Sequence, residues 1–234
     1  MTKEDFYTKG EYLAKHPEWH TEDAAWKASN ILKMLGKNNL HPSSVIEIGC
    51  GAGEILKKMQ DQLPATVNFE GYEVSPQAFE MTSSRKNERL NFFLKDISEI
   101  KSNRSYDLSL MIDVFEHVHD YYGFLEKARD KAKHIIFHIP LDLSVQSVWR
   151  GYPLLRKRKN SGHIHYFTKD TALASLRDSG YEIVDWFYTG SYIDLPTKTL
   201  KSKIAKIPRQ ILFAINPDFG VRVLGGYSLM VLAK

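Results

Sequence analysis

Glycine-rich and acidic segments follow four predicted β-strands of this 234-residue chain. They are residues 47–53 (EIGCGAG), Glu73, residues 96–97 (DI) and residues 113–118 (DVFEHV). In a parallel sheet, ligands bind beyond the carboxyl ends of the strands, where such segments meet. The order of the four segments therefore predicts one ligand site at this edge of the sheet.

The glycine loop has the spacing GxGxG. Its glycines lack the Cβ atoms that would keep a ligand away from the backbone at the start of the next helix. A dinucleotide-binding loop would have glycine at position 54, but this chain has Glu54, whose carboxylate would repel a pyrophosphate. The loop therefore favours a cofactor without phosphates, and a purely structural tight turn is the alternative.

The acidic residues at the next two strand ends suit a nucleoside. Glu73 lies 24 positions beyond Gly49 and can accept hydrogen bonds from both hydroxyls of a ribose. Asp96 can accept a hydrogen bond from an exocyclic adenine amine while Ile97 packs against the ring. A solvated strand end for Glu73 and a simple turn for Asp96 are the alternatives.

Strand and helix patterns alternate along the chain, which predicts parallel βαβ units in a single α/β domain, residues 1–234. A helix is expected over residues 21–36, capped by Thr21. An irregular stretch is expected from Pro140 to about Phe167, and Thr168 then opens a further helix. The predicted strands are 45–48, 67–74, 90–97, 106–118, 134–140, 181–188 and 225–233.

The overall composition excludes several classes. The net charge is +4, from 32 Lys and Arg against 28 Asp and Glu, too small to indicate a nucleic-acid partner. Cys50 is the single cysteine, which excludes an internal disulfide and a multi-cysteine zinc site. The polar N-terminus is unlike a signal peptide, and no apolar run approaches the ~18 residues of a spanning helix. A soluble cytoplasmic protein is therefore expected.

With these motifs, residues 44–189 resemble the S-adenosylmethionine-dependent methyltransferases of the Rossmann-like (class I) superfamily, in the small-molecule group. The resemblance implies a seven-stranded, mostly parallel sheet of order 3-2-1-4-5-7-6 with the last strand antiparallel. It also implies that the glycine loop contacts the methionine part of the cofactor, Glu73 the ribose, Asp96 and Ile97 the adenine, and residues 113–115 the cofactor floor. The predicted cofactor-binding residues are Glu47, Gly49, Cys50, Gly51, Gly53, Glu73, Val74, Asp96, Ile97, Asp113, Val114 and Phe115.

Methyl transfer to a hydroxyl or an ammonium needs a base, and histidine is the natural candidate. His117 lies in the fourth motif, and His163 and His165 lie in the GHIHYF segment, which also resembles the family's later half. His138 is expected to be a core histidine. No metal is predicted, since His-x-His without a clustered carboxylate is a weak ligand set. The expected acceptor atom is oxygen or nitrogen of a small molecule, with carbon left open.

Three segments are expected on the acceptor side: residues 1–40 as a helical lid or cap, and the insertions 140–167 and 190–222. Basic clusters at 156–159 and 198–209 could attract an anionic acceptor or contact an anionic membrane surface. A solvated charged face is the alternative, and Pro208 is expected to interrupt the helix. The oligomeric state stays open.

Three other functions are weighed against small-molecule methylation. An RNA methyltransferase is disfavoured by the modest charge and the absence of an added RNA-binding module. A non-catalytic binding or scaffold protein is disfavoured by the intact glycine loop and Glu73. An oxidoreductase that binds a nicotinamide cofactor is disfavoured by Glu54 and the GxGxG spacing.

Overall fold

The computed structural model describes residues 18–19, 21–100, 105–196 and 200–234. Its strands are β1 (Ser44–Ile48), β2 (Asn68–Glu73), β3 (Leu90–Leu94), β4 (Tyr106–Ile112), β5 (Ala132–Pro140), β6 (Ile183–Thr189) and β7 (Ser228–Ala233). They form one sheet of order β3-β2-β1-β4-β5-β7-β6. β7 is antiparallel to β5 and β6, and the other pairings are parallel. The predicted fold class is confirmed.

Helices connect these strands and cover the sheet. They are α1 (Ala24–Lys37), α2 (Glu54–Gln60), α3 (Pro76–Met81), α4 (Tyr121–Arg129), α5 (Val145–Arg150), α6 (Tyr152–Asn160), α7 (Lys169–Asp178), α8 (Ser191–Asp194), α9 (Leu200–Ile215) and α10 (Pro217–Leu224). Single 3₁₀ turns cover Thr21–Asp23, Ile97–Glu99 and Phe115–His117. The Ser75 hydroxyl accepts a hydrogen bond at the start of α3, and Thr168 caps α7, as predicted.

The core lies on both faces of the sheet because successive strand residues point to opposite sides. Along β5, Ile135, Phe137 and Ile139 belong to one apolar cluster, and Ile136 belongs to the other. β5 is covered on both faces, so its sequence reads as a nearly continuous apolar run rather than an alternating one.

The carboxyl ends of β1, β2 and β4 meet at one edge. Ile48 pairs with Tyr72, and Glu47 also pairs with Leu110 of β4. After β1 the backbone N–H groups of Gly49 and Cys50 donate to the Tyr72 carbonyl, at 2.8 and 3.1 Å. The glycine loop, Glu73 and Asp113 are therefore brought to the same edge.

The N-terminal prediction needs a small correction. The helix begins at Ala24, and Thr21 lies in a preceding 3₁₀ turn and does not cap it. Ala28 and Ile31 of α1 are buried in the core, so α1 is a layer of the fold as well as a wall beside the site. Residues 1–17 and residue 20 of the predicted lid lie outside the described residues.

The stretch predicted to be irregular contains α5 and α6. Ser144 begins α5 with a reciprocal capping interaction with Ser147, and Gly151, at φ 62°, separates the two helices. Serine and glycine in a strongly basic segment hid this helix pair from a reading based on apolar periodicity.

Pro208 does not interrupt α9, contrary to expectation. Lys206 donates to the Ile193 and Leu195 carbonyls, and Arg209 donates to the Leu224 carbonyl. These bonds on either side of the proline hold the helix, offsetting the hydrogen bond that Pro208 cannot make. No helix among the described residues is both long and apolar enough to cross a bilayer.

Candidate active site

The glycine loop lies between β1 and α2, with its three glycines at positive φ: 73° at Gly49, 53° at Gly51 and 78° at Gly53. A Cβ on Gly49 would come within 2.8 Å of the Val114 side chain, and one on Gly51 within 2.7 Å of the Trp19 ring. Both the backbone conformation and the lack of space require glycine here.

The loop, α1, the end of β4 and the later histidine segment surround one cavity of about 250 Å³. The predicted cofactor and catalytic residues that line it are Glu47, Gly49, Cys50, Gly51, Asp113, His117 and His163. Trp19, Trp26 and Lys27 form the wall on the side of α1. Five of the residues expected to hold a cofactor and two of the candidate bases therefore share one cavity.

Glu47 is a buried carboxylate on the wall of this cavity. Its Oε2 has no hydrogen-bond partner among the described residues. Burial raises the pKa of this carboxyl well above its usual value, and the nearby Lys27 only partly opposes the effect. A buried acceptor of this kind is stabilised by a donor from a ligand.

Asp113 follows β4 at φ 56° and joins a buried polar network. Its carboxylate lies 2.9 Å from Lys27 Nζ and 2.6 Å from His138 Nδ1, and His138 Nε2 lies 2.9 Å from the Thr189 hydroxyl. Lys27 also pairs with Asp23 at 3.2 Å. Burial alone would raise the pKa of Asp113, but His138 and Lys27 outweigh it and hold that pKa well below its usual value. His138 is thus a satisfied core histidine that also borders the cavity.

Glu73 is 7% exposed, and its carboxylate accepts three backbone N–H groups, from Gly51 at 2.8 Å, Val74 at 2.9 Å and Ser75 at 2.8 Å. The alternative of a solvated strand end for Glu73 is therefore wrong. Burial raises the pKa of Glu73, and the three N–H donors oppose that rise. The carboxylate therefore supports the glycine loop, while Oε2, with one donor, retains acceptor capacity.

The predicted adenine residues lie beside Glu73, since Glu73 pairs with Leu94 in the parallel ladder. Val74 is exposed, and Ile97 is buried. Asp96 Oδ1 accepts from the backbone N–H and the hydroxyl of Ser98, at 2.9 and 2.7 Å. These residues follow neighbouring strands but do not line the cavity.

Two predicted residues lie elsewhere. Phe115 is fully buried in the core, with its ring 5.2 Å from that of Phe167, so its side chain does not line the cavity. His165 Nε2 lies 2.8 Å from the Val118 carbonyl, and its ring packs edge-on against Tyr121, outside the cavity. In an extended segment alternate side chains point to opposite sides, and His163 takes the cavity side.

His163 is held beside His117 by backbone bonds between two distant segments. The N–H groups of Ile164 and His165 donate to the Glu116 carbonyl at 2.9 and 3.2 Å. The His117 and His163 rings consequently lie edge to face, with centroids 4.9 Å apart. His163 Nδ1 lies 2.5 Å from Asp142 Oδ2, and Lys157 is 3.6 Å from the other oxygen.

Sequence reasoning missed Asp142, Glu116 and Lys27 as members of the site. Asp142 follows β5, and the rule that pointed to the other strand ends would have indicated it. Glu116 belongs to the DVFEHV motif but was not predicted as a site residue, and its side chain is buried, with 1% of the residue exposed. Lys27, on the buried side of α1, left no signal in the apolar pattern.

A family model described as a methyltransferase domain matches residues 19–185. Among curated proteins, malonyl-[acyl-carrier protein] O-methyltransferase of Acetivibrio thermocellus is 28% identical over 107 residues, 45% of this chain and 38% of that protein. Ubiquinone biosynthesis O-methyltransferase of Rickettsia canadensis is 23% identical over 88 residues, 38% and 37% of the two chains. The matches thus span less than two-fifths of each relative's length.

Solved structures share the fold over the whole chain. The methyltransferase in a complex with the Haloferax volcanii Trm112 activator has a TM-score of 0.65 at 13% identity, covering 100% of this chain and 96% of that one. Magnesium protoporphyrin IX methyltransferase from Synechocystis with bound S-adenosylmethionine has a TM-score of 0.61 at 12% identity, covering 100% and 97%.

The cavity suits the cofactor of these proteins. S-adenosylmethionine carries an α-ammonium, which is a donor for a buried carboxylate, and no phosphate that Glu54 would repel. Glu47 supplies such a carboxylate with a spare oxygen. The family match, the sheet order and this donor set agree: the chain belongs to the S-adenosylmethionine-dependent methyltransferases of the Rossmann-like class I superfamily, with S-adenosylmethionine as its cofactor.

Proposed function

We propose that this enzyme transfers the methyl group of S-adenosylmethionine to an oxygen or nitrogen of a small molecule. The observation that carries the proposal is the shared cavity, which is lined by the glycine loop and also by His117 and His163. A cofactor on the glycine loop and an acceptor beside the histidines would therefore meet inside it.

The names of the relatives support oxygen as the acceptor atom. Both of these curated relatives are O-methyltransferases, one named for malonyl-[acyl-carrier protein] and one for ubiquinone biosynthesis. The Synechocystis structure is a methyltransferase named for magnesium protoporphyrin IX. These acceptors differ from one another, so they support the reaction class more than any particular molecule.

The cofactor is proposed to be held by the residues of the strand-end loops. Glu47 would accept from its α-ammonium, the glycine loop would approach its methionine part, and Glu73 would accept from its ribose. Asp113 and Val114 would form the floor, and Val74, Asp96 and Ile97 the adenine side. S-adenosylmethionine supplies an electrophilic methyl group on its sulfonium, and these residues would position the cofactor.

The reaction is an in-line displacement, for which alignment of the reacting atoms can supply ~7–11 kcal/mol of barrier reduction. A hydroxyl or ammonium acceptor must also lose a proton, and a positioned base contributes ~10²- to 10⁴-fold. Asp142 accepts from His163 Nδ1–H, which leaves Nε2 as the basic nitrogen. His163 is therefore the leading candidate base, with His117 beside it.

The acceptor is proposed to be anionic or amphiphilic. Lys157 lines the cavity, and residues 145–160 and 200–215 contain nine basic residues and no acidic residue.

On α9, Ile204, Ile207 and Ile211 are each more than half exposed, and Lys203 is exposed beside them. This apolar and basic face is proposed to contact an anionic membrane surface, in agreement with the contact expected for residues 198–209.

Two measurements test these proposals. S-adenosylmethionine carrying a labelled methyl group should label carboxylate- or phenol-bearing small molecules, while RNA should remain unlabelled. Binding of S-adenosylmethionine without transfer to any acceptor class would favour a binding protein.

For the membrane face, Ile207→Glu should reduce sedimentation of the protein with phosphatidylserine vesicles. Val184→Glu, at an exposed position of β6, should not reduce it. Equal sedimentation of both variants would contradict the membrane contact.

A further inference from the structure

Glu116, His117 and His163 form a compact group of potential metal ligands. One ligand atom from each lies within 4.8 Å of the others. Glu116 and His117 lie in the 3₁₀ turn after β4, and His163 belongs to the segment whose backbone bonds to the Glu116 carbonyl. Two segments separated by more than 40 residues are thus fixed together at this point, which is how a preorganised site is built.

The Glu116 carboxylate is the second observation that points to a ligand. The residue is 1% exposed, and neither carboxylate oxygen has a hydrogen-bond partner among the residues that the structure describes. The imidazole of His117 is 3.7 Å away from Oε1, beyond hydrogen-bond distance. A buried carboxylate without partners is costly, so a positive ligand at this position would offset a large desolvation penalty.

Asp142 prepares His163 for such a ligand. The Asp142 carboxylate, 2.5 Å from His163 Nδ1, fixes the tautomer whose Nε2 carries the lone pair. Metal-binding histidines commonly donate their second nitrogen to a carboxylate in this way. Lys157, at 3.6 Å from Asp142, balances the charge of that carboxylate. Asp142 is not one of the three potential ligands; it orients one of them.

We infer that Glu116, His117 and His163 bind a divalent cation on the wall of the cavity; the role of the cation in catalysis rests on the proposed function. One carboxylate and two imidazoles suit Mn²⁺, Fe²⁺ or Zn²⁺ better than Mg²⁺ or Ca²⁺, which prefer oxygen ligands alone. His117 and His163 border the cavity, so the remaining coordination positions are open to an acceptor.

Such a cation would activate an acceptor hydroxyl. Coordination lowers the pKa of the hydroxyl, whose proton passes to solvent. A lone pair of the bound oxygen then forms the new O–CH₃ bond, while the S–CH₃ bond breaks and its electron pair returns to sulfur, giving neutral S-adenosylhomocysteine. In this arrangement the two histidines act as metal ligands, and the cation replaces them as the group that assists deprotonation.

The test is binding of Mn²⁺ to the full chain, from which bound metal has first been removed with a chelator. Binding is measured as the loss of the electron paramagnetic resonance signal of free Mn²⁺. We expect one site per chain. Glu116→Gln should weaken binding at least tenfold, and Asp142→Asn by about 10–100-fold, as for outer residues that orient a ligand. His119→Ala is the matched control, since His119 is an exposed histidine two residues beyond His117.

Circular dichroism melting of each variant shows that it is folded, and Glu116→Gln keeps the shape of the side chain. No stoichiometric binding, or equal binding by wild type and Glu116→Gln, would overturn the site. Methyl transfer that persists at full rate in excess chelator would overturn the catalytic role of the cation and leave the proposed methyl transfer intact. Mn²⁺ binding by a protein that methylates no acceptor would support the site and contradict the proposed function.

Discussion

Two groups of acidic and histidine residues contribute side chains to the same cavity, and their hydrogen bonding differs. In the Asp113 network, Asp113, Lys27, His138 and Thr189 satisfy one another through direct contacts. In the Glu116 cluster, formed by Glu116, His117 and His163, the carboxylate has neither oxygen paired among the described residues.

The difference indicates a division of roles. A satisfied buried network rigidifies the fold, and here it joins α1 to the end of β4, to β5 and to β6 at the wall of the cavity. An unsatisfied buried carboxylate destabilises the fold and is retained where it serves a ligand or a reaction. Substitutions in the network should therefore reduce stability, and substitutions in the cluster should reduce activity.

The largest expected effect is on turnover. His163→Ala should lower kcat by ~10²- to 10⁴-fold, the contribution of a positioned base or of the group that replaces it, with affinity for S-adenosylmethionine little changed. Steady-state kinetics on a responsive acceptor measures this. His119→Ala is the control, and a loss confined to His165→Ala would contradict the assignment of the cavity histidines.

The next effect is on stability. Asp113→Asn should lower the free energy of unfolding by about 1.5–3 kcal/mol at pH 7, the range for hydrogen bonds to a charged group, because Lys27 then keeps only its pair with Asp23 and His138 loses its carboxylate partner. Asparagine tolerates the positive φ at this position, so the change tests charge rather than backbone strain. Urea denaturation measures it, with Asp61→Asn, an exposed partner of Lys57, as a control expected to cost under ~1 kcal/mol.

The pH dependence of that loss follows from the pKa of Asp113. The folded-state pKa lies below the unfolded value of about 3.9, so the contribution is present above that value and is lost as pH falls through and below it. The difference between wild type and Asp113→Asn should therefore shrink below about pH 4. A difference that is constant from pH 7 to pH 3 would show that the ion pair contributes nothing to stability.

The sequence predicted the fold well because its signals are local. The apolar strand runs, the glycine loop and the Ser75 and Thr168 caps act within a few residues, and the structure has each of them. The helices after Pro140 were missed because their basic segment lacks apolar periodicity. The course of α9 through Pro208 was missed because hydrogen bonds to other segments hold it.

The site was predicted in part for the same reason. Strand-end positions indicated Glu47, Asp113 and His117, which line the cavity. The sequence could not show which histidine of His163-x-His165 faces the cavity, because that depends on the bonds to the Glu116 carbonyl. It also could not show that Glu116 is buried and unpaired, since acidic residues in such turns are usually solvated.

Glu73 is intermediate between the two groups, because the protein already satisfies much of its carboxylate. Glu73→Gln should weaken binding of S-adenosylmethionine by about 1.5–3 kcal/mol, the range for hydrogen bonds to a charged group. It should also destabilise the glycine loop, since an amide accepts through one oxygen only. Calorimetry measures affinity, with Glu80→Gln on exposed α3 as the control. Unchanged affinity in a folded variant would make Glu73 a structural residue alone.

The smallest effect has the opposite sign and separates the two groups most sharply. Glu116→Gln should raise the free energy of unfolding of the metal-free protein by about 1–2 kcal/mol, because an amide costs less to bury than an unpaired carboxylate. Urea denaturation in excess chelator, with Asp113→Asn measured in parallel, gives the comparison. Added Mn²⁺ should reverse the order, since only the wild type would gain stability from binding it. If Glu116→Gln instead destabilises the metal-free chain as much as Asp113→Asn does, Glu116 has partners that the structure does not show, and the two groups play the same structural role.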